Sequence, residues 1–465
     1  MNIILIALEC MPFARVTTLG ETIYTTAKSL ESLGHKVHIF MPRFGFIDPQ
    51  SSSIERIPIE IKTNINGSTV NSSIFKGILP GSFINVFLIE SQSHFSNSKE
   101  IYPAHLTSEE IQDRNIFFAS TILESIIRLK LNPDIIHLFN EAPAQISKLI
   151  SSPAFKSLKN PRLKIILSIH GVESILMYPS LTPSFYEALC CCDFITIPSS
   201  LVKNELTIDK NLQLISEAIE KKKDCLITAS ALNYEKLYNP ETDNDIAQKY
   251  SKGFFTVGKK KCKEELFSFF GFETNLQYPI VFIPVFQSNE KEIEPLKALI
   301  TNFPRMEFNF AITTNGQEIT DQELIKLPAK TKNIRIQSGG DFKLTKKLYS
   351  GSDFFLSLSS YHLDISSFIA AMRFGCIPIS QLTPITDALK KCLAAEENNT
   401  DFITYDNKSI DEIIKALTYA YTYYKNKEKW TSLIRSVMSI SNLLKEKTYL
   451  ELYSQYLDTK ILTSK

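Results

Sequence analysis

Short apolar runs alternate with amphipathic stretches through the first half of this 465-residue chain. Each run has the length of a buried strand, and parallel strands that helices cover on both faces show this pattern. We predict strands at Ile3–Ala7, Val37–Phe40, Phe83–Leu88, Ile135–Leu138, Lys164–Ile169 and Phe194–Pro198. Apolar residues at helical spacing predict helices at Ser108–Leu129 and Pro183–Cys191. The first half therefore indicates a parallel sheet between layers of helices.

The chain opens with a strand–helix–strand unit. Asn2–Leu8 is short and apolar, and the loop that follows ends at Gly20, at the start of a stretch with helical spacing. Gly34 closes that helix, because glycine adopts the left-handed conformation at helix ends without strain. A second apolar strand, Lys36–Met41, follows. This order is typical of a parallel α/β sheet.

The stretch Ser51–Ser73 has a different pattern, in which isoleucines are interleaved with polar residues. Such alternation indicates strands that have one exposed face. We therefore predict antiparallel strands at an edge of the first sheet.

A polar, lysine-rich stretch, Asn239–Lys263, separates this half from a second α/β series. The second series has strands at Ile280–Val285, Glu307–Thr313, Ile334–Ser338, Phe354–Leu358 and Ile377–Ser380, and closing helices at Ile410–Tyr424 and Lys427–Ser441. A chain of this length exceeds one hydrophobic core, so we predict two doubly wound domains, residues 1–245 and 246–465. Ligands of open α/β sheets bind beyond the carboxyl ends of the strands, which places the expected site in a cleft between the domains.

Composition and charge narrow the classes of partner. The chain is 44% apolar and 22% charged, as globular proteins are, and its net charge of +1 predicts neither nucleic acid nor a membrane as a partner. No stretch approaches ~18 uninterrupted apolar residues, and the start lacks a signal segment, so we expect a cytoplasmic protein. The lysines at 221–223 and 259–261 suit solvated helix faces. No Cys/His set has metal-ligand spacing, and we expect no metal and no cofactor.

Motifs along the whole chain resemble, in their order and spacing, those of the glycogen/starch synthase family. That family has a donor-binding loop of the form lysine-x-glycine-glycine-leucine-glycine-aspartate, which aligns here with Arg15–Glu21. Further motifs of the family, PDIIHCHDWQ, TIHN, WNPxTD, GADFFLMPS and AMRYGTIPIV, align with Pro133–Glu141, Ser168–Gly171, Tyr238–Asp243, Gly351–Ser359 and Ala371–Ser380. The resemblance implies a GT-B fold, in which two Rossmann-like domains face a central cleft, the first on the acceptor side and the second on the donor side. It also implies ADP-glucose or another nucleotide sugar as donor and an α-glucan as acceptor.

Transfer of glucose from a nucleotide sugar requires stabilisation of the departing diphosphate. Glycine-rich turns let backbone amides approach the phosphates, and lysine or arginine neutralises the developing charge. A carboxylate positions the sugar. The family's motifs supply these groups, so their counterparts in this chain are the candidate site residues.

In the first domain the resemblance assigns Arg15 and Gly20 to donor binding and His170 to contact with the sugar. Thr17 and Thr18 stand where the family has glycines, which places side chains where close backbone approach is needed. Arg15 keeps a positive charge, although its planar guanidinium differs from an ammonium. Arg15 can instead be a surface arginine, and His170 a hydrogen-bonded structural histidine.

In the second domain the resemblance assigns Lys291 to the diphosphate, although a solvated lysine at a helix start is the alternative. Phe286 occupies the position of the family's arginine, and His362 that of its key glutamate. The resemblance therefore gives His170 and His362 as the candidate catalytic residues. Asp364 offers a carboxylate nearby for the sugar. The turn Thr383–Thr386 replaces both glycines of a second phosphate turn, and its proline has no amide hydrogen to donate.

These replacements lead to three hypotheses for the function. The chain is either a divergent, catalytically impaired glucan synthase with Arg15, His170 and Lys291 around the diphosphate, or a non-catalytic homologue that binds glucan, nucleotide or a partner protein. The third hypothesis is a GT-B enzyme with another donor and a rebuilt site around His362 and Asp364. Turnover of ADP-glucose on glycogen distinguishes the first two.

Overall fold

The computed structural model of the protein describes residues 1–65, 67–103, 105–158, 162–171, 175, 178–198, 203, 206, 212–228, 237–285, 290–302, 307–314, 326, 331–338, 342–358, 365–383, 386–387, 403–407 and 409–439. The chain forms two compact units. The described residues of the first unit run to Thr228, and those of the second begin at Leu237. The assignment of acceptor and donor sides to the two parts of the chain stays a prediction.

The first unit is built on a nine-stranded sheet of order β3-β4-β5-β2-β1-β6-β7-β8-β9. Its strands are β1 Asn2–Ile6, β2 Lys36–Pro42, β3 Glu55–Ile65, β4 Ser68–Ile78, β5 Asn85–Glu90, β6 Ile135–Phe139, β7 Lys164–Ser168, β8 Phe194–Ile197 and β9 Leu226–Thr228. β3, β4 and β5 pair antiparallel at one edge, as the alternating isoleucines predicted for this region. In the rest of the order, β5-β2-β1-β6-β7-β8-β9, all neighbouring strands pair in parallel. The carboxyl ends of β1, β6 and β7 therefore meet at one edge of the sheet.

Five α-helices are described in the first unit: α1 Leu19–Ser32, α2 Ser108–Arg128, α3 Ile146–Leu149, α4 Thr182–Cys191 and α5 Gln213–Lys221. A π-helix, Gln92–Ser96, and 3-10 turns at Pro153–Leu158, Pro179–Leu181 and Lys223–Cys225 complete the regular elements. Thr107 caps α2, because its hydroxyl accepts a hydrogen bond from the Glu110 amide while the Glu110 carboxylate accepts one from the Thr107 amide. The start of this long helix is thus set by sequence.

The second unit is built on a parallel six-stranded sheet of order β12-β11-β10-β13-β14-β15. Its strands are β10 Ile280–Val285, β11 Asn309–Thr314, β12 Ile334–Ser338, β13 Phe354–Leu356, β14 Ile377–Gln381 and β15 Ile403–Tyr405. Its helices are α6 Phe255–Phe270, α7 Glu290–Asn302, α8 Phe342–Gly351, α9 Ile365–Arg373, α10 Ile410–Lys425 and α11 Lys427–Met438. The strand sequences of the sheet's centre are buried at every position, which explains their continuous apolar runs. No helix in the described part of the chain is long and apolar enough to cross a membrane.

Two sequence predictions need correction. The stretch Asn239–Lys263 is more than a polar separator, because α6 begins within it at Phe255. Lys259 does not lie on a solvated face but is buried, and its ammonium group donates to the carbonyl oxygens of Ser350, Ser352 and Phe374. Those carbonyls follow or end the helices α8 and α9, where a cation is favoured by the helix dipole.

Candidate functional site

The candidate site of the first unit lies where the first loop, residues 7–18, meets the carboxyl end of β7. The Thr18 hydroxyl and His170 Nε2 are 3.1 Å apart and hydrogen bonded, although they are far apart in sequence. His170 follows β7 by two residues, and Thr18 directly precedes α1. The structure thus brings the loop that carries Arg15 next to His170, while the roles given to Arg15 and His170 at a donor stay predictions.

A buried carboxylate, Glu9, organises the first loop. Its Oε2 accepts hydrogen bonds from the amides of Val16 (2.6 Å) and Thr17 (2.8 Å). Its Oε1 accepts them from the hydroxyls of Thr17 (2.8 Å) and Tyr102 (2.7 Å). Burial raises the pKa of the Glu9 carboxyl, and these four hydrogen bonds oppose that rise. Two amides of the loop are therefore directed at the protein's own carboxyl group.

Arg15 forms an ion pair within the same loop region. Its Nε and Nη2 lie 2.7 and 2.6 Å from one carboxylate oxygen of Glu21, which is fully buried in the first turn of α1. The Arg15 side chain itself is 14% exposed. The charge that the resemblance assigns to a diphosphate is thus compensated by Glu21. Contact between Arg15 and a donor stays a prediction.

Gly20 allows the first loop to pack tightly against α1. A Cβ atom at Gly20 would lie 3.0 Å from the carbonyl oxygen of Ala14, and the Met11 amide donates to the Gly20 carbonyl at 3.1 Å. The glycine therefore has a structural role in the close approach of these two segments. A role in substrate binding stays a prediction.

Thr17 and Thr18 use their side chains for internal hydrogen bonds. The Thr17 hydroxyl, besides donating to Glu9, accepts from the Leu19 amide at 3.1 Å. Thr18 is the N-cap residue of α1, but its hydroxyl bonds His170 and does not cap the helix. Replacement of the family's glycines has therefore filled the loop with hydroxyl groups that are bonded to the protein itself.

Asn140 positions the segment that carries His170. It follows β6, and its side-chain oxygen accepts hydrogen bonds from the amides of His170 (2.8 Å) and Gly171 (3.1 Å). Its φ of +62° lies in the left-handed region, which asparagine adopts more readily than most residues. Asn140 stands where the family motif has an aspartate, so a neutral carboxamide takes the place of a charge. Sequence reasoning missed it, as it missed Glu9.

A buried polar chain runs beneath this segment, across three neighbouring strands. His137 Nε2 and the Ser168 hydroxyl are 2.6 Å apart, and Ser168 also bonds the Thr196 hydroxyl. Burial lowers the pKa of His137 to about 3. A neutral, fully buried histidine in such a chain supports the strand ends and does not contact solvent.

Among the candidate site residues of the second unit, the structure describes only the backbone of Lys291. Lys291 lies in the first turn of α7, and its side chain is outside the described part. His362, Asp364 and Phe286 also lie outside the described residues. The predictions for these positions therefore remain predictions.

The turn that replaces the second pair of family glycines is described at both ends. The Thr383 amide donates to the Thr386 hydroxyl at 2.8 Å, and the Thr386 amide to the Thr383 hydroxyl at 3.3 Å. The Thr386 hydroxyl also donates to the Gln381 carbonyl at 2.9 Å, and Thr386 is fully buried. Here too, threonine hydroxyls accept the hydrogen bonds of backbone amides, those of Thr383 and Thr386.

Both turns share one chemical property. An anion-binding turn presents unpaired amides to its ligand. In this chain the amides of Val16, Thr17, Thr383 and Thr386 donate to oxygen atoms of the protein.

Within the described residues, no group of three or more His, Cys, Asp or Glu side chains is placed to hold a metal ion.

Comparison with known proteins agrees with the motifs. Residues 2–183 match the model of the starch synthase catalytic domain. A glycogen synthase of Fervidobacterium nodosum is 24% identical over 98% of this chain and 99% of its own length, and one of Thermodesulfovibrio yellowstonii is 26% identical over 97% of each. The structure of the catalytic domain of starch synthase IV from Arabidopsis thaliana, bound to ADP and acarbose, superposes with a TM-score of 0.76 at 21% identity, covering 98% of this chain and 99% of that one. This likeness confirms the predicted fold class.

Proposed function

We propose that the chain is a divergent member of the glycogen/starch synthase family, a glycosyltransferase of α-1,4-glucan metabolism whose transfer of glucose from ADP-glucose to glucan is strongly impaired. The proposed partners are ADP-glucose or another nucleotide sugar and an α-glucan acceptor, and the proposed location is the cytoplasm. The observation that carries the proposal is the internal bonding of the first loop. Its amides at Val16 and Thr17 donate to Glu9, and Arg15 is paired with Glu21.

The proposal follows from what a departing diphosphate needs. Preorganised donors and cations stabilise the charge that develops in the transition state, and loss of one such donor typically lowers the rate about 10²–10³-fold. A diphosphate at the first loop would compete with Glu9 for the amides and with Glu21 for the guanidinium. The arginine and glutamate of the family's second domain are replaced by Phe286 and His362, which carry neither a guanidinium group nor a carboxylate. Loss of several such groups implies strong impairment, although the combined effect on the rate is smaller than the product of the single losses.

A second candidate function is a non-catalytic homologue that binds glucan, nucleotide or a partner protein. The engagement of His170 favours it, because its Nε2 is hydrogen bonded to Thr18 and its segment is held by Asn140. A histidine held in this way suits a fixed binding surface. Impaired transfer and pure binding differ in whether any turnover remains.

One assay tests the proposal. The purified full chain is incubated with labelled ADP-glucose and glycogen, and ADP release and incorporation of label are measured beside the Fervidobacterium nodosum glycogen synthase. We expect a rate at least about 10³-fold below that of the relative. A rate comparable to that of the relative would contradict both candidate functions.

Calorimetric titration then separates the two candidates. The chain is titrated with ADP-glucose alone and with maltoheptaose alone. Measurable turnover above a buffer control supports the impaired enzyme. Binding of maltoheptaose with no turnover in any condition supports the non-catalytic homologue.

A further inference from the structure

A polar groove lies at the antiparallel edge of the first sheet, away from the elements that carry His170. We propose that this groove binds a short stretch of a neutral sugar chain. The choice of an α-1,4-glucan as its ligand rests on the proposed function, whereas the groove itself is argued from its own geometry and chemistry. It would hold a glucan independently of any transfer reaction.

The groove has a volume of about 630 Å³, within the range of small-molecule sites. Residues of β3, of β4, of the end of β5 and of the segment that follows it line the groove: Arg56, Glu60, Thr69, Val70, Asn71, Ser72, Ser73, Glu90, Ser91, Gln92 and Ser93. Five consecutive residues of β4 belong to this lining. Side chains alternate between the faces of a strand, so an unbroken run means that the groove reaches the edge of β4 itself.

That edge is exposed because β5 is shorter than β4. The last pair between the two strands is Ser73 with Glu90. β4 begins at Ser68, and its residues Ser68–Ser72 pair only with β3 among the described residues. After Glu90 the chain leaves the sheet and enters the π-helix Gln92–Ser96. A gap thus stands where β5 would continue, and backbone amides and carbonyls of β4 face it.

The side chains of the groove complement hydroxyl groups. Hydroxyls and carboxamides, which both donate and accept hydrogen bonds, make up most of the lining. Val70 is the one apolar residue of the lining, so an apolar ligand would gain little there. The groove therefore suits a ligand that hydrogen bonds around its whole outline.

The charges of the groove compensate one another. Arg56 donates to the Ser73 hydroxyl at 2.7 Å and lies 3.6 Å from Glu60. Glu90 is paired with Arg43, whose Nε lies 3.0 Å from its carboxylate. Both carboxylates of the lining are thus paired with guanidinium groups, and the one guanidinium of the lining, that of Arg56, is paired with Glu60, so neither an anionic nor a cationic ligand gains an uncompensated partner among these residues. The favoured ligand is therefore neutral.

An extended peptide is the main alternative, because strands add to exposed sheet edges. A peptide strand would use the edge of β4, where the unpaired part is only Ser68–Ser72. The lining also includes Arg56 and Glu60 on one side and Gln92 and Ser93 on the other. A sugar chain carries hydroxyls around each ring and can bond both sides at once. The lining therefore favours the sugar.

Hydrogen–deuterium exchange of the full chain tests the proposal, with maltoheptaose as the probe. Amides of an unpaired strand edge exchange readily, so a ligand in the groove slows exchange directly. We expect maltoheptaose to lower deuterium uptake in peptides that cover Ser68–Ser73 and Glu90–Ser93. The double variant Asn71→Ala, Gln92→Ala should need about tenfold more maltoheptaose for the same protection, because two hydrogen-bonding side chains are lost. The matched control Asn97→Ala, Gln50→Ala alters exposed residues outside the lining and should leave it unchanged.

Several outcomes would overturn the proposal. Unchanged uptake in both peptides at saturating maltoheptaose is one, and equal protection in the groove variant and its control is another. Protection by a hexapeptide of alternating threonine and valine, with none by maltoheptaose, would assign the edge to strand addition. The ADP-glucose assay is a separate measurement: normal turnover refutes the proposed impairment and leaves the groove result standing, and the reverse also holds.

Discussion

His38 links the stability of the first unit to pH at the scale of a single residue. It lies in β2 and is 2% exposed, and its Nε2 is buried without a hydrogen-bond partner among the described residues. Burial, with a smaller effect of Lys36 and Lys76, lowers the pKa of His38 to about 4. The folded protein therefore disfavours the protonated imidazole.

The direction of the pH effect follows from this lowered pKa. The unfolded histidine titrates near pH 6.5, so the neutral form is common to both states above that pH and folding is at its full stability. As the pH falls toward 4, the unfolded state gains a proton that the folded state does not, and stability is lost. We predict that His38→Leu, which removes the titration, reduces the loss of unfolding free energy between pH 7 and pH 5 by about 2 kcal/mol. Hydrogen exchange of the β1 and β2 amides, followed against urea concentration at pH 7 and at pH 5, measures this difference in unfolding free energy.

The exposed His105 offers a matched control. His105→Leu should leave the pH dependence of the first unit as in the wild type. Equal pH dependence in His38→Leu and the wild type would show that His38 does not carry the effect. Burial also lowers the pKa of His94, and that of His137 to about 3, so these two histidines contribute acid sensitivity of the same sign in every variant.

The hydrogen bond from Tyr102 to Glu9 predicts a defined contribution to the first loop. Tyr102→Phe removes one of the four donors to the buried carboxyl group and should lower the unfolding free energy of the first unit by about 1–2 kcal/mol. Hydrogen exchange of the loop amides at Val16 and Thr17 should rise in parallel. The exposed Tyr419 provides the control variant Tyr419→Phe. Unchanged exchange at both amides would contradict the role given to Glu9.

The sequence predicted part of the candidate site, and the rest depends on tertiary contacts. Arg15 and His170 were identified by their motifs, and the structure brings their segments together. Glu9 and Asn140 were missed. Each follows a strand, and the local sequence does not reveal which amides will donate hydrogen bonds to its side-chain oxygen. The pairing of Arg15 with Glu21 likewise depends on the fold of the loop.

At the scale of elements, buried Lys259 connects α6 to the ends of α8 and α9. Its ammonium group donates to three carbonyl oxygens, and burial lowers its pKa. We predict that Lys259→Met lowers the unfolding free energy of the second unit by about 2–4 kcal/mol, because buried carbonyls lose their donor. Trp430 is the single tryptophan of the chain and packs on Phe354 in this unit, so its fluorescence reports the urea transition.

Lys260 provides the control for this prediction, because it is the next residue on the same helix and is 71% exposed. Lys260→Met should shift the Trp430 transition by less than about 0.5 kcal/mol. Similar shifts for the two variants would contradict a structural role specific to Lys259.

The elements themselves were largely predictable. Strands of the sheet centres have continuous apolar runs, and β10 and β12 begin and end where the sequence predicted. β9 and β15 escaped prediction because three-residue strands give too short a pattern. The helix α6 escaped it because its start is rich in lysine, and one of those lysines is buried against carbonyl groups that no local pattern shows.

At the scale of the whole molecule, replacements occur in both units. The first loop has lost two glycines, and the second unit has lost an arginine, a glutamate and a second pair of glycines relative to the family motifs. Groups that act on one transition state depend on one another, so restoring a few of them has little effect while others are absent. The proposed impairment therefore predicts a particular response when these groups are restored.

Two sets of substitutions test that response. The first set is Arg15→Lys, Thr17→Gly and Thr18→Gly, and the second is Phe286→Arg with His362→Glu. We predict that the second set raises affinity for ADP-glucose about tenfold, because an arginine forms charge-assisted hydrogen bonds with phosphate. Either set alone should leave glucosyl transfer within about threefold of the wild type, whereas the two sets together should raise it about 10²-fold or more.

Calorimetry with ADP-glucose and incorporation of label into glycogen measure the two effects. The first set removes the hydrogen bonds of the Thr17 hydroxyl with Glu9 and the Leu19 amide, and that of the Thr18 hydroxyl with His170, so its unfolding free energy is measured beside its activity. Circular dichroism confirms that each variant is folded at the assay temperature. Unchanged donor affinity in the second set would mean that the site has been lost beyond these positions. Transfer that stays at the wild-type level with both sets combined, in a folded protein that binds ADP-glucose, would favour the non-catalytic homologue over the impaired enzyme.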